Sequence, residues 1–283
     1  MKQYFEIKKN ELIAADVYRM VLSGDTSDIT MPGQFINILL DGFFLRRPIS
    51  VCDWKDGELT LIYKVVGKGT AYMSTLKNGI KLDILSGLGN GFDVSEAGDT
   101  PLLVGGGVGT PPMYGLAKRL VLAGKSVNVV LGFASAADSF YTEDFDELNE
   151  LYDFGCEGFE SGMTRRGFLG EKTGANQNTV KYPEVRVYTA TVDGSLGTKG
   201  FVTDCLGNIE NCSHYYACGP IPMLKALKTA MNERFAGVNG ELSLEERMGC
   251  GFGACVGCSV ETLKGARKVC SDGPVFAAEE LLF

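Results

Sequence analysis

Four cysteines near the C-terminus have a spacing that suits metal ligation. Four residues separate Cys250 from Cys255, two separate Cys255 from Cys258, and eleven separate Cys258 from Cys270. A C-x4-C-x2-C segment with a later cysteine is typical of plant-type [2Fe–2S] sites. The glycines around these cysteines favour the same interpretation, because glycine reaches positive φ and lets backbone N–H groups turn toward sulfur. We therefore predict a [2Fe–2S] cluster on these four residues, and with it one-electron transfer.

The other cysteines and the single histidine narrow the chemistry further. The chain has nine cysteines and one histidine, His214. An odd number of cysteines favours metal ligands and free thiols over a disulfide framework. A zinc site built on several histidines is excluded by counting. We expect free thiols at Cys52, Cys156, Cys205 and Cys212, and a structural role for His214.

Composition indicates a globular protein with few features of nucleic-acid or membrane binding. The 283 residues are 45% hydrophobic and 22% charged, with a net charge of −8. This length suggests about two domains, and the negative charge disfavours nucleic acid and anionic membranes as partners. No apolar stretch is long enough for a transmembrane helix, and the N-terminal residues lack the apolar region of a signal peptide. We expect a cytoplasmic protein.

The elements that must hold the cluster fall into three predicted domains. Residues 1–98 show short apolar runs separated by turns, which predicts an antiparallel β-barrel with one helix at about 70–76. Residues 99–238 alternate strands and helices, which predicts an α/β parallel-sheet nucleotide-binding domain. Residues 239–283 form a small C-terminal module around the cysteines. The barrel strands are predicted at 17–22, 35–40, 59–66 and 81–85, the sheet strands at 102–104, 127–132, 185–190 and 213–217, and the helices of the second domain at 113–120 and 222–234.

A glycine-rich stretch, residues 153–182, has no clear period. Structureless loops of this length are uncommon in compact domains. We expect a long surface loop or a partly disordered insertion, and a lid or a partner contact is the alternative.

Two strand-to-helix junctions of the second domain are candidates for nucleotide binding. The first is Gly105, Gly106, Gly107, Val108, Gly109 and Thr110, where glycines let the backbone approach a pyrophosphate at a helix N-terminus. It departs from the standard dinucleotide fingerprint, so an ordinary tight turn is an open alternative. The second is Cys218-Gly219-Pro220, which follows a strand at the sheet edge where such folds bind ligands. The alternative for Cys218 is a small buried hydrophobe.

Two segments of the barrel are candidates for a flavin site. Arg47, in Arg47-Pro48-Ile49-Ser50, offers a charge for a pyrophosphate, and Ser50 a hydroxyl for a flavin ring. Residues 67–70 precede a helix and suit phosphate binding through backbone N–H groups. The alternatives are a solvated edge for Arg47 and a hairpin turn for 67–69.

Together these motifs resemble the ferredoxin–NADP reductase superfamily and, within it, the electron-transfer subunits of class 1B dihydroorotate dehydrogenases. The resemblance covers nearly the whole chain and is most specific in 243–258 and 269–276. It implies FAD bound by Arg47, Pro48, Ile49, Ser50, Ile62, Tyr63, Lys64, Gly69 and Thr70. It also implies NAD(H) bound by Gly105–Thr110 and by Cys218, Gly219 and Pro220, with Cys218 near the nicotinamide.

The resemblance further implies a partner. This is an FMN-containing dihydroorotate dehydrogenase catalytic subunit, where dihydroorotate becomes orotate in pyrimidine biosynthesis, and the complex is a heterotetramer with two copies of each subunit. Two departures stand out. Residues 153–182 look longer than is usual, and 132–138 has alanine where relatives often carry a basic residue, which favours NADH over NADPH.

Two other functions compete with this interpretation. A related flavin and iron–sulfur subunit, of an NADH-dependent ferredoxin:NADP oxidoreductase or a sulfhydrogenase, has the same domains. We expect some of those to ligate the cluster with three Cys and one Asp, whereas this chain offers four Cys. A zinc-binding or redox-sensing module is the second alternative, although paired C-x2-C segments are more usual for structural zinc.

Overall fold

A computed structural model describes residues 2–155 and 183–283. The predicted loop at 153–182 lies almost entirely outside the described residues, as does Cys156. All eight cysteines within the described part of the chain are free thiols.

Residues 2–88 form a closed six-stranded barrel with one helix. Apolar residues alternate into its interior, where Phe5, Met20, Ile36, Leu61 and Ile84 are buried together. The predicted antiparallel barrel is therefore confirmed. Its strands are β1 (Lys2–Ala14), β2 (Val17–Ser23), β3 (Phe35–Leu39), β4 (Arg47–Lys55), β5 (Glu58–Lys64) and β6 (Lys81–Leu88) in the order β1-β2-β5-β4-β3-β6, and α1 (Lys68–Thr75) lies between β5 and β6.

A seven-stranded sheet follows the barrel. Its strands are β7 (Leu102–Gly106), β8 (Val127–Phe133), β9 (Val185–Thr191), β10 (Thr198–Lys199), β11 (Tyr215–Cys218), β12 (Gly240–Ser243) and β15 (Val275–Ala277), and the helices beside it are α2 (Thr110–Leu122), α3 (Thr142–Gly155) and α4 (Ile221–Arg234). The strand order is β10-β9-β8-β7-β11-β12-β15, and all neighbours pair in parallel except β12 and β15, which are antiparallel. The predicted α/β domain is confirmed.

The C-terminal segment is attached to this sheet rather than separate from it. Its hairpin is β13 (Ser259–Thr262) with β14 (Gly265–Lys268), while β12 and β15 complete the large sheet. Cys258 and Cys270 are buried in the same apolar cluster as residues of α4 and β11. The cysteine segment is therefore held by the core that supports the sheet.

Helix α2 joins the barrel to the sheet. A Cβ added at Gly115 would lie 2.4 Å from the carbonyl oxygen of Cys52, so the helix backbone lies directly on β4. Lys118 forms an ion pair with Asp53, and the Arg119 guanidinium lies 4.1 Å from the ring centre of Trp54. These contacts hold α2, and with it the sheet, against β4 of the barrel. Within the described part of the chain, no helix combines the length and apolar character that crossing a membrane requires.

Candidate functional site

The segment from Cys250 to Cys258, here called the cysteine loop, turns its backbone N–H groups toward sulfur. Gly251 and Gly253 adopt positive φ, 78° and 87°, which is the conformation that glycine permits at low cost. The N–H of Cys255 donates to Sγ of Cys250 at 3.4 Å, and the N–H of Gly253 donates to Sγ of Cys270 at 3.2 Å. Such donors stabilise sulfur that carries negative charge.

The four thiols lie near one another. Cys250 interacts with Cys255, and Cys270 interacts with both Cys258 and Cys250. Burial opposes ionisation of Cys250, but hydrogen bonds from neighbouring backbone N–H groups lower its pKa to about 6. Burial and the nearby Cys258 raise the pKa of Cys270 to about 11. Four neighbouring cysteine sulfurs suit a [2Fe–2S] cluster, which takes four cysteine ligands.

Within residues 2–155 and 183–283, no group of three or more His, Cys, Asp or Glu side chains is arranged to hold one metal ion.

A cavity of about 310 Å³ lies between the barrel and the C-terminal segment. The C-terminal segment contributes Ser243, Met248 and Pro274 to its wall. Eight of the nine residues predicted to bind FAD line it, namely Arg47, Pro48, Ile49, Ser50, Ile62, Tyr63, Lys64 and Thr70. We call this cavity the barrel cleft.

Gly69 lies beside the barrel cleft rather than in its wall. A Cβ added at Gly69 would lie 2.0 Å from Nε of Arg47, so only glycine lets the guanidinium lie against α1. Arg47 also stacks on Phe43, with 4.9 Å between the guanidinium and the ring centre. Its neighbour Arg46 has a different role, because it donates to the carbonyl oxygens of Asn37 and Asp83 and pairs with the Asp83 carboxylate at 2.7 Å.

A larger cavity, about 640 Å³, lies at the carboxyl edge of the parallel sheet. Its wall includes Phe133, Ala134 and Met223. Five of the nine residues predicted to bind NAD line it, namely Gly106, Gly107, Val108, Gly219 and Pro220. We call this cavity the sheet cleft. Its position agrees with the general rule that α/β sheets bind ligands at the carboxyl ends of their strands.

The other four predicted NAD residues lie behind the wall of the sheet cleft. A Cβ added at Gly105 would lie 2.9 Å from Cα of Thr110, and one at Gly109 would lie 2.0 Å from the carbonyl oxygen of Cys218. Burial, and next the charge of Glu245, raise the pKa of Cys218 to about 12. The thiol is therefore protonated at neutral pH, which argues against a nucleophilic role. These residues support the cleft through close backbone packing.

Three residues, Lys64, Val108 and Glu245, line both clefts. Glu245 was not predicted as a site residue from the sequence, and the available signal was its position in 243–258, where the family resemblance is most specific. Its surface is open to the clefts, but protein encloses it on the other sides. This desolvation raises the pKa of its carboxyl. The two clefts thus meet at a valine and two ionisable side chains.

Two family models match the sequence. The one described as the iron-sulfur cluster binding domain of dihydroorotate dehydrogenase B matches residues 245–282. The one described as an oxidoreductase NAD-binding domain matches residues 103–229. Together they include the four cysteines and the glycine-rich junctions.

Curated relatives match over nearly the whole chain. The dihydroorotate dehydrogenase B (NAD(+)) electron transfer subunit of Fusobacterium nucleatum is 37% identical, over 97% of this chain and 96% of its own. The subunit of that name from Bacillus cereus strain G9842 is 39% identical, over 99% and 98%. Among solved structures, a chain of the NADH-dependent reduced ferredoxin-NADP oxidoreductase superposes with a TM-score of 0.77 at 31% identity, over 98% of this chain and 88% of that one.

Proposed function

This chain belongs to the family of dihydroorotate dehydrogenase B electron transfer subunits, and we propose that its two clefts and its cysteine loop form one electron path. It is an NAD-linked oxidoreductase subunit whose cofactors are FAD, a [2Fe–2S] cluster and NAD(H). Its family name implies a partner dihydroorotate dehydrogenase subunit. The proposal concerns which residues serve each step.

The observation that carries the proposal is the shared wall of the two clefts. Because Lys64, Val108 and Glu245 line both, a nicotinamide in the sheet cleft and a flavin in the barrel cleft would meet there. When bound, FAD takes two electrons as a hydride and releases them one at a time, which matches a two-electron donor to a one-electron cluster. The protein's task is to bind, orient and exclude water.

The proposed residues follow from the clefts and the loop. Arg47 neutralises the flavin pyrophosphate and Ser50 offers a hydroxyl to the ring, while Gly106 and Gly107 admit the nicotinamide nucleotide close to the backbone. Cys250, Cys255, Cys258 and Cys270 hold the cluster. Met248, two residues before the first ligand, lines the barrel cleft. That continuity supports direct passage from the flavin to the cluster.

The finer description of the partner is also part of the proposal. We propose that the partner contains FMN, that dihydroorotate becomes orotate there, and that two copies of each subunit form a heterotetramer. We further propose a cytoplasmic location, which the free thiols of the described residues support. NADH is the proposed nucleotide, since Ala134 occupies the wall where a 2′-phosphate would need a cation.

Replacing one ligand tests the assignment. We expect Cys250→Ser to lose iron and inorganic sulfide while FAD is retained, because the barrel cleft does not include Cys250. Cys212→Ser is the matched control, since the Cys212 thiol donates to the His214 carbonyl at 3.3 Å and a hydroxyl also donates. Normal iron and sulfide in Cys250→Ser would contradict the assignment.

The similarity to the ferredoxin-NADP oxidoreductase chain supports a second candidate, a subunit of that kind of complex. Co-purification separates the two functions. Recovery of an FMN protein that oxidises dihydroorotate with NAD⁺ supports the first. Recovery of a larger flavoprotein that reduces ferredoxin supports the second.

A further inference from the structure

A buried amide of the barrel contacts the cysteine loop. Nδ2 of Asn37 donates to the carbonyl oxygen of Cys250 at 3.3 Å, across 213 positions of sequence. Asn37 is 1% exposed. The loop backbone lies close against it, since a Cβ added at Gly251 would be 2.2 Å from Nδ2. The contact therefore fixes the peptide at the first proposed ligand.

Asn37 also pairs with the strand that carries the proposed flavin segment. On β3 it is the register partner of Pro48 on β4, and Pro48 lines the barrel cleft. Arg46 donates to its carbonyl oxygen at 3.2 Å and so ties the strand to Asp83 on β6. One residue thus separates the proposed flavin segment from the proposed first cluster ligand.

The amide carries an energetic cost. Its Oδ1 is buried and has no hydrogen-bond partner among the described residues. An unsatisfied buried acceptor is unfavourable. The bond from Nδ2 to the Cys250 carbonyl offsets this cost, and a leucine at this position could not make it.

We propose that Asn37 is a positioning residue. It holds the cysteine loop against strands β3 and β4, which carry the proposed flavin segment, and it fixes the hydrogen bonds around the sulfurs of that loop. The inference rests on the proposed ligand role of Cys250. By holding the Cys250 carbonyl, Asn37 keeps the following backbone turned so that N–H groups face sulfur. Hydrogen bonds to sulfur and solvent exposure set the reduction potential of such a cluster.

Asn90 provides the matched control. Its Nδ2 also donates to backbone carbonyls of the C-terminal segment, those of Ser271 at 3.3 Å and Asp272 at 3.1 Å. Those bonds are exposed, so water replaces them at little cost. Neither Asn37 nor Asn90 lines the barrel cleft. Asn90→Ala therefore removes an exposed amide clamp of the same chemistry, whereas the clamp at Asn37 is buried.

The experiment compares Asn37→Leu and Asn37→Ala with Asn90→Ala in the full chain. Leucine keeps most of the volume and alanine avoids overpacking, while both lose the donor. We expect FAD content to stay at the wild-type level in all three. In both Asn37 variants we expect an altered electron paramagnetic resonance spectrum of the reduced cluster and a more negative midpoint potential, because fewer N–H groups would then face sulfur.

Amide hydrogen exchange provides a readout that does not need the cluster. In protein freed of iron, we expect exchange across 250–258 to quicken about tenfold in both Asn37 variants and to stay unchanged in Asn90→Ala. Unchanged exchange, spectrum and potential in the Asn37 variants would overturn the inference. Loss of FAD together with the cluster would also overturn it, since Asn37 would then serve the barrel as a whole.

Different results would refute the ligand role of the cysteines and the positioning role of Asn37. A wild-type protein that binds no iron refutes the ligand assignment, whatever the variants do. A wild-type protein with a cluster that Asn37 does not influence refutes this inference alone.

Discussion

The backbone of Gly109 lies so close to Cys218 that an added Cβ would be 2.0 Å from the Cys218 carbonyl oxygen. The contact joins the glycine-rich junction after β7 to the Cys-Gly-Pro junction after β11. Both junctions contribute to the sheet cleft through their neighbours, Val108 and Gly219. The shape of the cleft therefore depends on a position where only glycine fits.

We expect Gly109→Ala to weaken NADH binding about tenfold, which corresponds to about 1.4 kcal/mol. The methyl group would meet backbone rather than a flexible side chain, so the two junctions must separate. Titration of NADH by flavin fluorescence measures the change. Gly207→Ala is the control, because an added Cβ there has no neighbour within 4 Å. Equal affinities in the two variants would contradict the supporting role of Gly109.

The sequence predicted the strongly apolar strands of the nucleotide-binding domain and its helices α2 and α4 within a few residues, because their apolar patterns are local. It missed helix α3 and the short strand β10 of the same domain. In the barrel it missed β1, whose Lys and Glu residues face solvent, and β4, whose first residues form the predicted flavin motif. It also missed β12 and β15. These are only four and three residues long and are defined by pairing with each other and with β11.

The candidate site shows the same limit. The sequence predicted the glycine-rich junctions. It could not show that Gly106 lines the sheet cleft while Gly109 lies behind the wall of that cleft, because this difference depends on how closely Gly109 packs against Cys218. Asn37 lies within an apolar strand pattern that gives no indication of its role. Its contact with Cys250 joins positions too far apart for any local motif.

Glu245 should influence hydride exchange at the junction of the two clefts. We expect Glu245→Gln to slow flavin reduction by NADH about tenfold, because an anionic carboxylate stabilises the positive charge that the nicotinamide gains. The surrounding protein raises the pKa of this carboxyl. The wild-type rate should therefore fall as pH drops through that raised pKa, and the variant should lack this fall.

Stopped-flow absorbance across a pH series measures both effects. Glu279→Gln serves as the control, since Glu279 is exposed and lines neither cleft. If the rate of flavin reduction depends on pH in the same way in Glu245→Gln and in the wild type, Glu245 has no role in hydride transfer.

Glu241 should make the fold less stable as pH rises. Burial raises the pKa of Glu241 from 4.5 to about 7. Between these values the unfolded chain releases the proton while the folded chain keeps it, so the free energy of unfolding falls with increasing pH. This decrease in the free energy of unfolding is complete once the pH is above about 7.

Glu241→Gln should remove this loss while keeping an oxygen to accept the bond from the Asp93 N–H, which is 2.9 Å in the wild type. Relative to the wild type, we expect the variant to gain about 1 to 2 kcal/mol between pH 4 and pH 8, after allowance for solvent screening. Urea unfolding at the two pH values measures the difference, with Glu233→Gln as an exposed control. A difference that is independent of pH would contradict the raised pKa.

The cysteine loop should also contact the partner subunit, because its exposed surface is apolar. Phe252 and Val256 lie within the proposed ligand loop and are 57% and 75% exposed. In the proposed path electrons leave through this loop, and exposed apolar side chains beside an exit point favour a protein contact. We expect Phe252→Ser and Val256→Ser each to weaken association with the dihydroorotate dehydrogenase subunit about tenfold, while iron content and NADH-dependent flavin reduction stay normal.

Leu263→Ser tests whether the position of the apolar residue matters. Leu263 is 71% exposed in the same C-terminal segment, but it lies between β13 and β14 rather than in the ligand loop. If the contact is made by apolar surface around the cluster, this variant should bind the partner as the wild type does. If all three variants weaken association with the partner equally, the contact does not depend on the position of the apolar residue. The cysteine loop would then not be the specific exit surface.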